Sequence, residues 1–197
     1  MENELKQKTP GLAAIELNLT FNCNLTCSYC FVREKGSGER MTFDTAKNAL
    51  DLLFARAAFP AVNITLIGGE PLLEFGLIKE IAAYALQTAK KRSLAINWSL
   101  TTNGTLINEE MLRFFALHGI NILLSMDGGP KTHDRYRRTR DGKGTWHKIA
   151  GLVPLIKKYQ PWLGIRMTVS TEAIAGMRED FRQLVGMGHH VVLVGRD

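Results

Sequence analysis

The chain has 197 residues, of which 45% are hydrophobic, and carries a formal net charge of +6 at pH 7. That length is enough for one domain with a substantial core, and no apolar run approaches the roughly 18 residues that a membrane-spanning helix requires. The polar N-terminus lacks the apolar segment of a secretory signal peptide, so we expect neither a membrane partner nor secretion.

The first predicted element is a strand that follows an N-terminal lead-in of residues 1–12. Ile15, Leu17 and Leu19 alternate with polar residues, which is typical of a half-buried strand. We expect residues 13–197 to form a single core domain that stops after a sixth strand.

The only three cysteines of the chain follow this strand within eight residues, as Cys23, Cys27 and Cys30. The spacing C-x₃-C-x₂-C puts three thiolates on one short loop, where they can bind three irons of a four-iron cluster. No cysteine is left for the fourth iron, so that iron would have an open position for a small molecule. The sequence therefore favours a redox enzyme over a purely structural metal site.

Two plainer explanations of the cysteine loop stay open from the spacing alone. A disulfide would use two thiols and leave one over. A structural zinc ion needs four ligands, and His118, the nearest histidine after the loop, is distant in the sequence. Clustered thiols that are kept reduced also indicate a reducing compartment, so we expect a cytoplasmic protein.

The rest of the chain alternates short β-rich runs with segments of helical periodicity. Thr42 and Asn108 stand where the N-caps of two helices belong. Such an order predicts parallel strands with right-handed crossovers, in either a partial barrel or an open doubly wound sheet. The later predicted strands are residues 62–67, 95–100, 120–126, 163–169 and 191–194, and the helices begin near residues 43, 77, 109, 146 and 177.

Polar and glycine-bearing segments follow the strands and should gather at one face. In barrel enzymes the carboxyl ends of the strands carry the chemistry. We therefore expect an α/β fold, as a partial (β/α)6 TIM-like barrel of parallel strands. The segments concerned are residues 23–30, 68–71, 101–105, 125–129 and 170–171.

The positive charge is concentrated in a predicted loop after the fourth strand. Residues 131–143 contain six basic and two acidic side chains. A solvated surface loop explains this as well as contact with an acidic peptide, a redox partner or nucleic acid does. Because Tyr136 is the loop's only aromatic residue, we do not expect a nucleic-acid partner.

These loops together resemble those of the radical S-adenosylmethionine (radical SAM) enzymes. The cysteine loop matches that family's C-x₃-C-x-(aromatic)-C motif, with Tyr29 as the aromatic residue. Residues 68–71, Gly-Gly-Glu-Pro, match its G-G-E-P motif, and residues 101–105 and 125–128 match later motifs. The resemblance runs from about residue 15 to the last residue.

The resemblance implies a role for each matching residue. Cys23, Cys27 and Cys30 would bind a 4Fe-4S cluster, whose open iron would bind the amino and carboxylate groups of S-adenosylmethionine. Electron transfer from the cluster would cleave that cofactor to a 5′-deoxyadenosyl radical, which abstracts hydrogen from a substrate. The residues implied in cofactor binding are Tyr29, Gly68, Gly69, Glu70, Pro71, Asn103, Ser125, Asp127 and Arg166.

The best-defined of these roles belong to the G-G-E-P segment. Glu70 and the backbone of Gly68 and Gly69 would hold the cofactor ammonium, because a carboxylate is a charge-assisted acceptor and glycine permits close approach. Pro71 would fix the exit of the loop. Tyr29 would pack near the adenine, although simple loop packing explains it equally well.

Polar residues on the later strands have two explanations each. Asn103, Ser125 and Asp127 would bind the ribose or the methionine carboxylate, but turns and caps also favour such residues. Arg166 lies amid an apolar strand and should be paired. Its partner would be the cofactor carboxylate or Glu16.

Longer matches narrow the resemblance to the branch that modifies peptides and proteins, which includes anaerobic sulfatase-maturing enzymes and thioether-forming maturases. The matching stretches are residues 68–75, 125–137 and 142–146. That branch usually carries a cysteine-rich C-terminal extension, called SPASM, which this chain lacks, so we expect a truncated chain. The implied partners are a peptide or protein substrate and an electron donor of the flavodoxin or ferredoxin type.

Two other functions remain open. Short chains without an extension also suit activases that place a glycyl radical on a partner protein. A non-catalytic remnant, which binds cluster and cofactor without turnover, would explain the missing extension. The sequence does not identify a catalytic acid or base, because His118, His133 and His147 are equally well explained by structural roles.

Overall fold

The computed structural model describes residues 11–32, 38–188 and 191–196. Its centre is one sheet of six parallel strands that pair in sequence order, without a reversal. That order belongs to a barrel wall and not to a doubly wound sheet, so the predicted partial barrel is confirmed. The strands are β1 (Ala14–Asn18), β2 (Ala61–Ile67), β3 (Ala95–Thr102), β4 (Ile120–Ser125), β5 (Gly164–Val169) and β6 (Val191–Arg196).

Helices follow the strands much as the periodicity predicts. The predicted N-caps are confirmed, because the side chains of Thr42 and Asn108 accept hydrogen bonds from the backbone nitrogens of Thr45 and Met111. No helix among the described residues is long and apolar enough to cross a bilayer. The α-helices are α1 (Phe43–Ala55), α2 (Phe75–Lys91), α3 (Glu109–His118), α4 (Pro130–Tyr136), α5 (Trp146–Tyr159) and α6 (Met177–Gly186).

Alternation along the strands separates the core from the barrel interior. Leu66 pairs in register with Leu100, which pairs with Ile122, and all three are fully buried in the layer that the helices cover. On β3 most of the intervening residues are polar, and Ser99 Oγ donates a 3.0 Å hydrogen bond to Thr65 Oγ1. The sheet therefore presents a polar inner surface, at whose carboxyl end the site forms.

The prediction of a plain basic loop after the fourth strand was wrong, because part of it is helix α4. Pro130 stands at the first helical position, where its missing N–H costs nothing. Asp180, on α6, accepts hydrogen bonds from the Gly129 nitrogen (3.0 Å) and the Thr132 hydroxyl (2.7 Å) and holds the helix start in place. That partner lies about 50 residues away, beyond the reach of local sequence patterns.

Candidate functional site

The cysteine loop, residues 23–30, and the carboxyl ends of the inner strands enclose a cavity of about 290 Å³. Pro71 and Asp127 were also predicted to contact the cofactor, but they lie outside its wall. Tertiary structure thus brings together predicted residues that are up to 143 positions apart, since Cys23 and Arg166 share this wall. The predicted residues in the wall are Cys23, Cys27, Tyr29, Cys30, Gly68, Gly69, Glu70, Asn103, Ser125 and Arg166.

None of the three cysteines forms a disulfide, so the disulfide alternative does not hold in this structure. Cys23 is buried, and its Sγ accepts hydrogen bonds from the Leu25 nitrogen at 3.4 Å and from Asn103 Nδ2 at 3.9 Å. Donors that point at a ligand sulfur are the kind of contact that orients and tunes a metal-bound thiolate.

The donor set of the cysteine loop fits a cluster better than a single ion. Among residues 11–32, 38–188 and 191–196, no three His, Cys, Asp or Glu side chains are grouped to hold one metal ion. A zinc ion needs its ligands about 2.3 Å from one point. The thiolates of a cubane bind different irons, so three thiols spread along one cavity wall suit it.

Gly68 and Gly69 hold the chain that enters the cysteine loop. The Gly69 nitrogen donates to the Thr20 carbonyl (2.7 Å), and the Glu70 nitrogen donates to the Asn22 carbonyl (2.8 Å). A Cβ atom on Gly69 would lie 2.3 Å from the Asn22 oxygen. A side chain at residue 69 is therefore excluded by the close approach of the two backbone segments. A ligand that approached this backbone would exclude it as well.

Glu70 is a fully buried carboxylate at the cavity wall. Its Oε1 accepts from the Thr102 hydroxyl (2.6 Å) and the Leu72 nitrogen (3.1 Å), and its Oε2 accepts from the Asn103 nitrogen (2.8 Å). Burial raises the pKa of Glu70, and these hydrogen bonds oppose that rise. No cation within the described part of the chain forms an ion pair with it, so Oε2 can accept a further, charged donor.

The other side of the cysteine loop is held by residues 136–140, which we call the clamp segment. The nitrogens of Thr26 and Ser28 donate to the carbonyls of Arg138 (2.8 Å) and Tyr136 (3.2 Å). Arg140 Nη2 donates to the Cys23 carbonyl at 3.0 Å. Part of the basic stretch is thus a structural support for the cysteines, a function that its charge pattern did not predict.

Asp127 is fully buried and bonded to protein groups on both oxygens. Arg137 Nε and Nη2 donate to Oδ2 (2.7 Å) and Oδ1 (2.9 Å), the Thr168 nitrogen donates to Oδ1 (2.9 Å), and the Tyr29 hydroxyl donates to Oδ2. Burial raises the pKa of Tyr29, so its hydroxyl keeps the proton that it donates. Arg137 lines the cavity and was missed from the sequence, because it appeared there as one of several surface cations.

His133 is a structural residue. Its Nδ1 accepts from the Asp127 nitrogen (3.3 Å), its Nε2 lies 2.9 Å from the Thr145 hydroxyl, and that hydroxyl donates to the Arg137 carbonyl (3.2 Å). Burial, reinforced by the Arg137 charge, lowers the pKa of His133 to about 4. The neutral ring therefore links helix α4 to Asp127 on one side and, on the other, to Thr145 and through it to Arg137.

Arg166 is exposed on β5, and its side chain lines the cavity. It forms no ion pair with Glu16 within the described ranges, and three strands separate it from the strand β1 that carries Glu16. The prediction of an ion pair between Arg166 and Glu16 was therefore wrong, and the Arg166 cation faces the cavity.

Comparison with known proteins gives consistent results. A family model described as the Radical SAM superfamily matches residues 17–185. The serine-type anaerobic sulfatase-maturating enzyme of Klebsiella aerogenes is 33% identical over 173 residues, which are 84% of this chain and 42% of that enzyme. The cysteine-type enzyme of Clostridium novyi (strain NT) is 32% identical over 145 residues, which are 71% of this chain and 38% of that enzyme.

Solved structures show the same fold. Native anSMEcpe with bound AdoMet superposes with a TM-score of 0.82 at 24% identity, over 94% of this chain and 51% of that one. Native anSMEcpe with bound AdoMet and Cp18Cys peptide superposes with a TM-score of 0.81 at 24% identity, over 94% and 50% of the two chains. This chain thus spans about half the length of these two solved chains.

Proposed function

The chain belongs to the radical SAM superfamily, and on that premise we propose that Cys23, Cys27 and Cys30 bind a 4Fe-4S cluster and that the adjoining cavity binds S-adenosylmethionine. The observation that carries the proposal is the convergence of three unbridged thiols, the Gly-Gly-Glu segment and Asn103 on one cavity. When bound, the cluster would supply the electron for reductive cleavage of S-adenosylmethionine, which would release methionine and make radical abstraction of hydrogen from a substrate available.

Glu70 is the proposed acceptor for the cofactor ammonium. A carboxylate that is buried without a cation is unfavourable, and an ammonium beside Oε2 would offset the burial that raises its pKa. The three donors that already hold the carboxylate keep it in one orientation before the ammonium arrives.

Two further residues of the same wall have side chains that could bind the carboxylate and the ribose of the cofactor. Arg166 offers a positive charge to the cofactor carboxylate, and Ser125 offers a hydroxyl to the same group or to the ribose. The Tyr29 ring is fixed through its hydroxyl bond to Asp127, so its face is held at the wall where an adenine would stack.

We propose a peptide or protein as the substrate. The named relatives are sulfatase-maturating enzymes, and one solved structure of the same fold holds a peptide. Phe31 adjoins the cavity with 78% of its surface exposed, which suits contact with a side chain of a bound peptide. The exposed cations of residues 131–143 suit docking of an acidic electron donor of the flavodoxin or ferredoxin type.

A chain that binds cluster and cofactor without turnover is the second candidate. The chain spans 42% of the Klebsiella aerogenes enzyme and 38% of the Clostridium novyi enzyme, so turnover by this chain is itself a proposal, which the assay below tests.

One assay separates these functions. The cluster is reconstituted without oxygen, dithionite and S-adenosylmethionine are added, and 5′-deoxyadenosine is measured by chromatography, with Cys27→Ala as the control. Cleavage by the wild type and not by Cys27→Ala supports the enzyme. A complete cluster without cleavage supports the binding-only function, and failure of the wild type to hold iron and sulfide overturns both.

A further inference from the structure

The Asp127–Arg137 pair is the most completely buried ion pair in the described part of the chain, with side chains 0% and 8% exposed. Its geometry is bidentate, which makes it both strong and directional. Asp127 lies outside the cavity wall, and its two oxygens together accept four bonds from protein donors. It therefore has little capacity left for a ligand.

The pair is joined to the clamp segment, because Arg137 is one of its residues. Arg137 lies between Tyr136 and Arg138, whose carbonyls accept from the nitrogens of Ser28 and Thr26. Those two donors flank Cys27 directly. A shift of Arg137 would thus move both acceptors and, with them, the backbone that carries this thiol.

The same pair reaches the cysteine loop by a second route. Tyr29 lies between Cys27 and Cys30, and its hydroxyl is bonded to Asp127. The Arg137 guanidinium also lies over the Tyr29 ring, 5.4 Å from its centroid. Backbone and side-chain contacts therefore converge on the half of the loop that holds two cysteines.

Buried ion pairs contribute little to stability compared with apolar replacements, and their best-attested use is to fix one arrangement of the chain. Here the fixed arrangement is that of the cysteine loop, from which Tyr29 alone packs against the main hydrophobic core of the described residues. Partners outside the ligand set commonly tune a metal site through the orientation of its ligands.

We infer that the Asp127–Arg137 ion pair is a positioning latch that holds the cysteine loop in its cluster-binding conformation before the cluster arrives. The inference rests on the proposed function for the identity of the cluster. The latch itself is a property of the chain and is present in the cluster-free protein.

The first test measures hydrogen exchange of the Thr26 and Ser28 amides in cluster-free protein. Arg137→Gln and Asp127→Asn should accelerate exchange at both amides by about tenfold or more, equivalent to about 1.4 kcal/mol, while amides of β2 and β3 keep wild-type rates. A general loss of stability would accelerate β2 and β3 equally and would overturn the latch. Lys131→Gln removes an exposed charge from the same helix and serves as the matched control.

Single variants leave one buried charge unpaired, so the double variant Asp127→Asn/Arg137→Gln, which can keep neutral hydrogen bonds, guards against misfolding. It should fold, yet exchange faster than wild type at Thr26 and Ser28, because neutral bonds are weaker than charge-assisted ones. Wild-type protection of both amides in the folded double variant overturns the inference.

The second test follows cluster loss to an iron chelator after anaerobic reconstitution. Loss should be roughly 10- to 100-fold faster in the double variant than in wild type or Lys131→Gln. Equal rates of loss overturn the inference. A wild type that assembles no cluster refutes the proposed function, whereas faster exchange in the variants would still support the latch.

Discussion

Glu70 accepts a 2.6 Å hydrogen bond from the hydroxyl of Thr102, so one side-chain pair joins the segment after β2 to the end of β3. The same carboxylate accepts from the Asn103 nitrogen, and the Asn103 side chain donates to Cys23 Sγ. A continuous set of hydrogen bonds therefore runs from the Gly-Gly-Glu segment to the cysteine loop.

Replacement of Thr102 by valine should lower the free energy of unfolding by about 1.5–3 kcal/mol, because a buried carboxylate loses a donor. The effect should be largest where Glu70 is ionised and should shrink as the pH falls and Glu70 becomes protonated. Urea unfolding of the cluster-free protein measures it. Thr65→Val, which removes a partly exposed hydroxyl pair, is the control, and an equal loss in both variants would contradict the prediction.

Replacement of Gly69 by alanine should destabilise the fold by about 1–3 kcal/mol. The added Cβ would lie 2.3 Å from the Asn22 carbonyl, so the chain that enters the cysteine loop must shift. Gly151→Ala, in the middle of α5 with open space around it, should instead stabilise by about 0.5–1 kcal/mol. Thermal unfolding compares the two, and a neutral Gly69→Ala would show that this approach is not tight.

Acid should destabilise the protein through His133. The pKa of His133 falls from 6.5 to about 4 on folding. Since one pKa unit is equivalent to about 1.4 kcal/mol, the neutral His133 contributes up to about 3 kcal/mol to the free energy of unfolding. The contribution of His133 to the free energy of unfolding is fully present above pH 6.5. It is lost as the pH falls from 6.5 towards 4, because His133 of the unfolded chain binds a proton at a higher pH than His133 of the folded chain does.

The measurement is the unfolding free energy across that pH range. His133→Gln should give a flatter profile than wild type, whereas His147→Gln, which replaces an exposed histidine, should keep the wild-type slope. Parallel profiles for wild type and His133→Gln would refute the assignment.

Asn103→Ala should lower the reduction potential of the reconstituted cluster. Its Nδ2 donates to Cys23 Sγ at 3.9 Å, and a donor to a ligand sulfur stabilises the extra negative charge of the reduced state. An anaerobic titration followed by electron paramagnetic resonance measures the midpoint. Asn97→Ala, an exposed position on the strand that Asn103 follows, should leave the midpoint unchanged. Equal midpoints for Asn103→Ala and wild type would count against this bond.

Local patterns predicted most of the fold. The strands were placed within a few residues, and a helix was predicted to begin near residue 146, where α5 begins, because hydrophobic periodicity and capping depend on neighbours a few positions away. Helix α4 as a whole was missed, since its start depends on Asp180, which lies on another helix.

In the candidate site too, local motifs predicted some of the residues and missed the role of others. The spacing of Cys23, Cys27 and Cys30 and the presence of Glu70 were visible as motifs. Asp127 was expected to contact the cofactor, but its bonded partners include Tyr29, 98 residues away, and the structure puts it behind the cavity wall. For Arg137 the sequence predicted a surface charge, whereas the structure shows that it is buried.

By itself, the sequence determined the order of strands and helices, the three-thiol loop and the family to which that loop is similar, because each is encoded in short stretches of chain. Only the tertiary structure decided why Gly69 admits no side chain, what Asp127 binds and how residues 136–140 support the cysteines. These answers depend on contacts such as Gly69–Asn22, Tyr29–Asp127 and Arg140–Cys23, whose atoms meet across 47 to 117 residues. Such contacts exist only after the parallel strands have brought their carboxyl ends together.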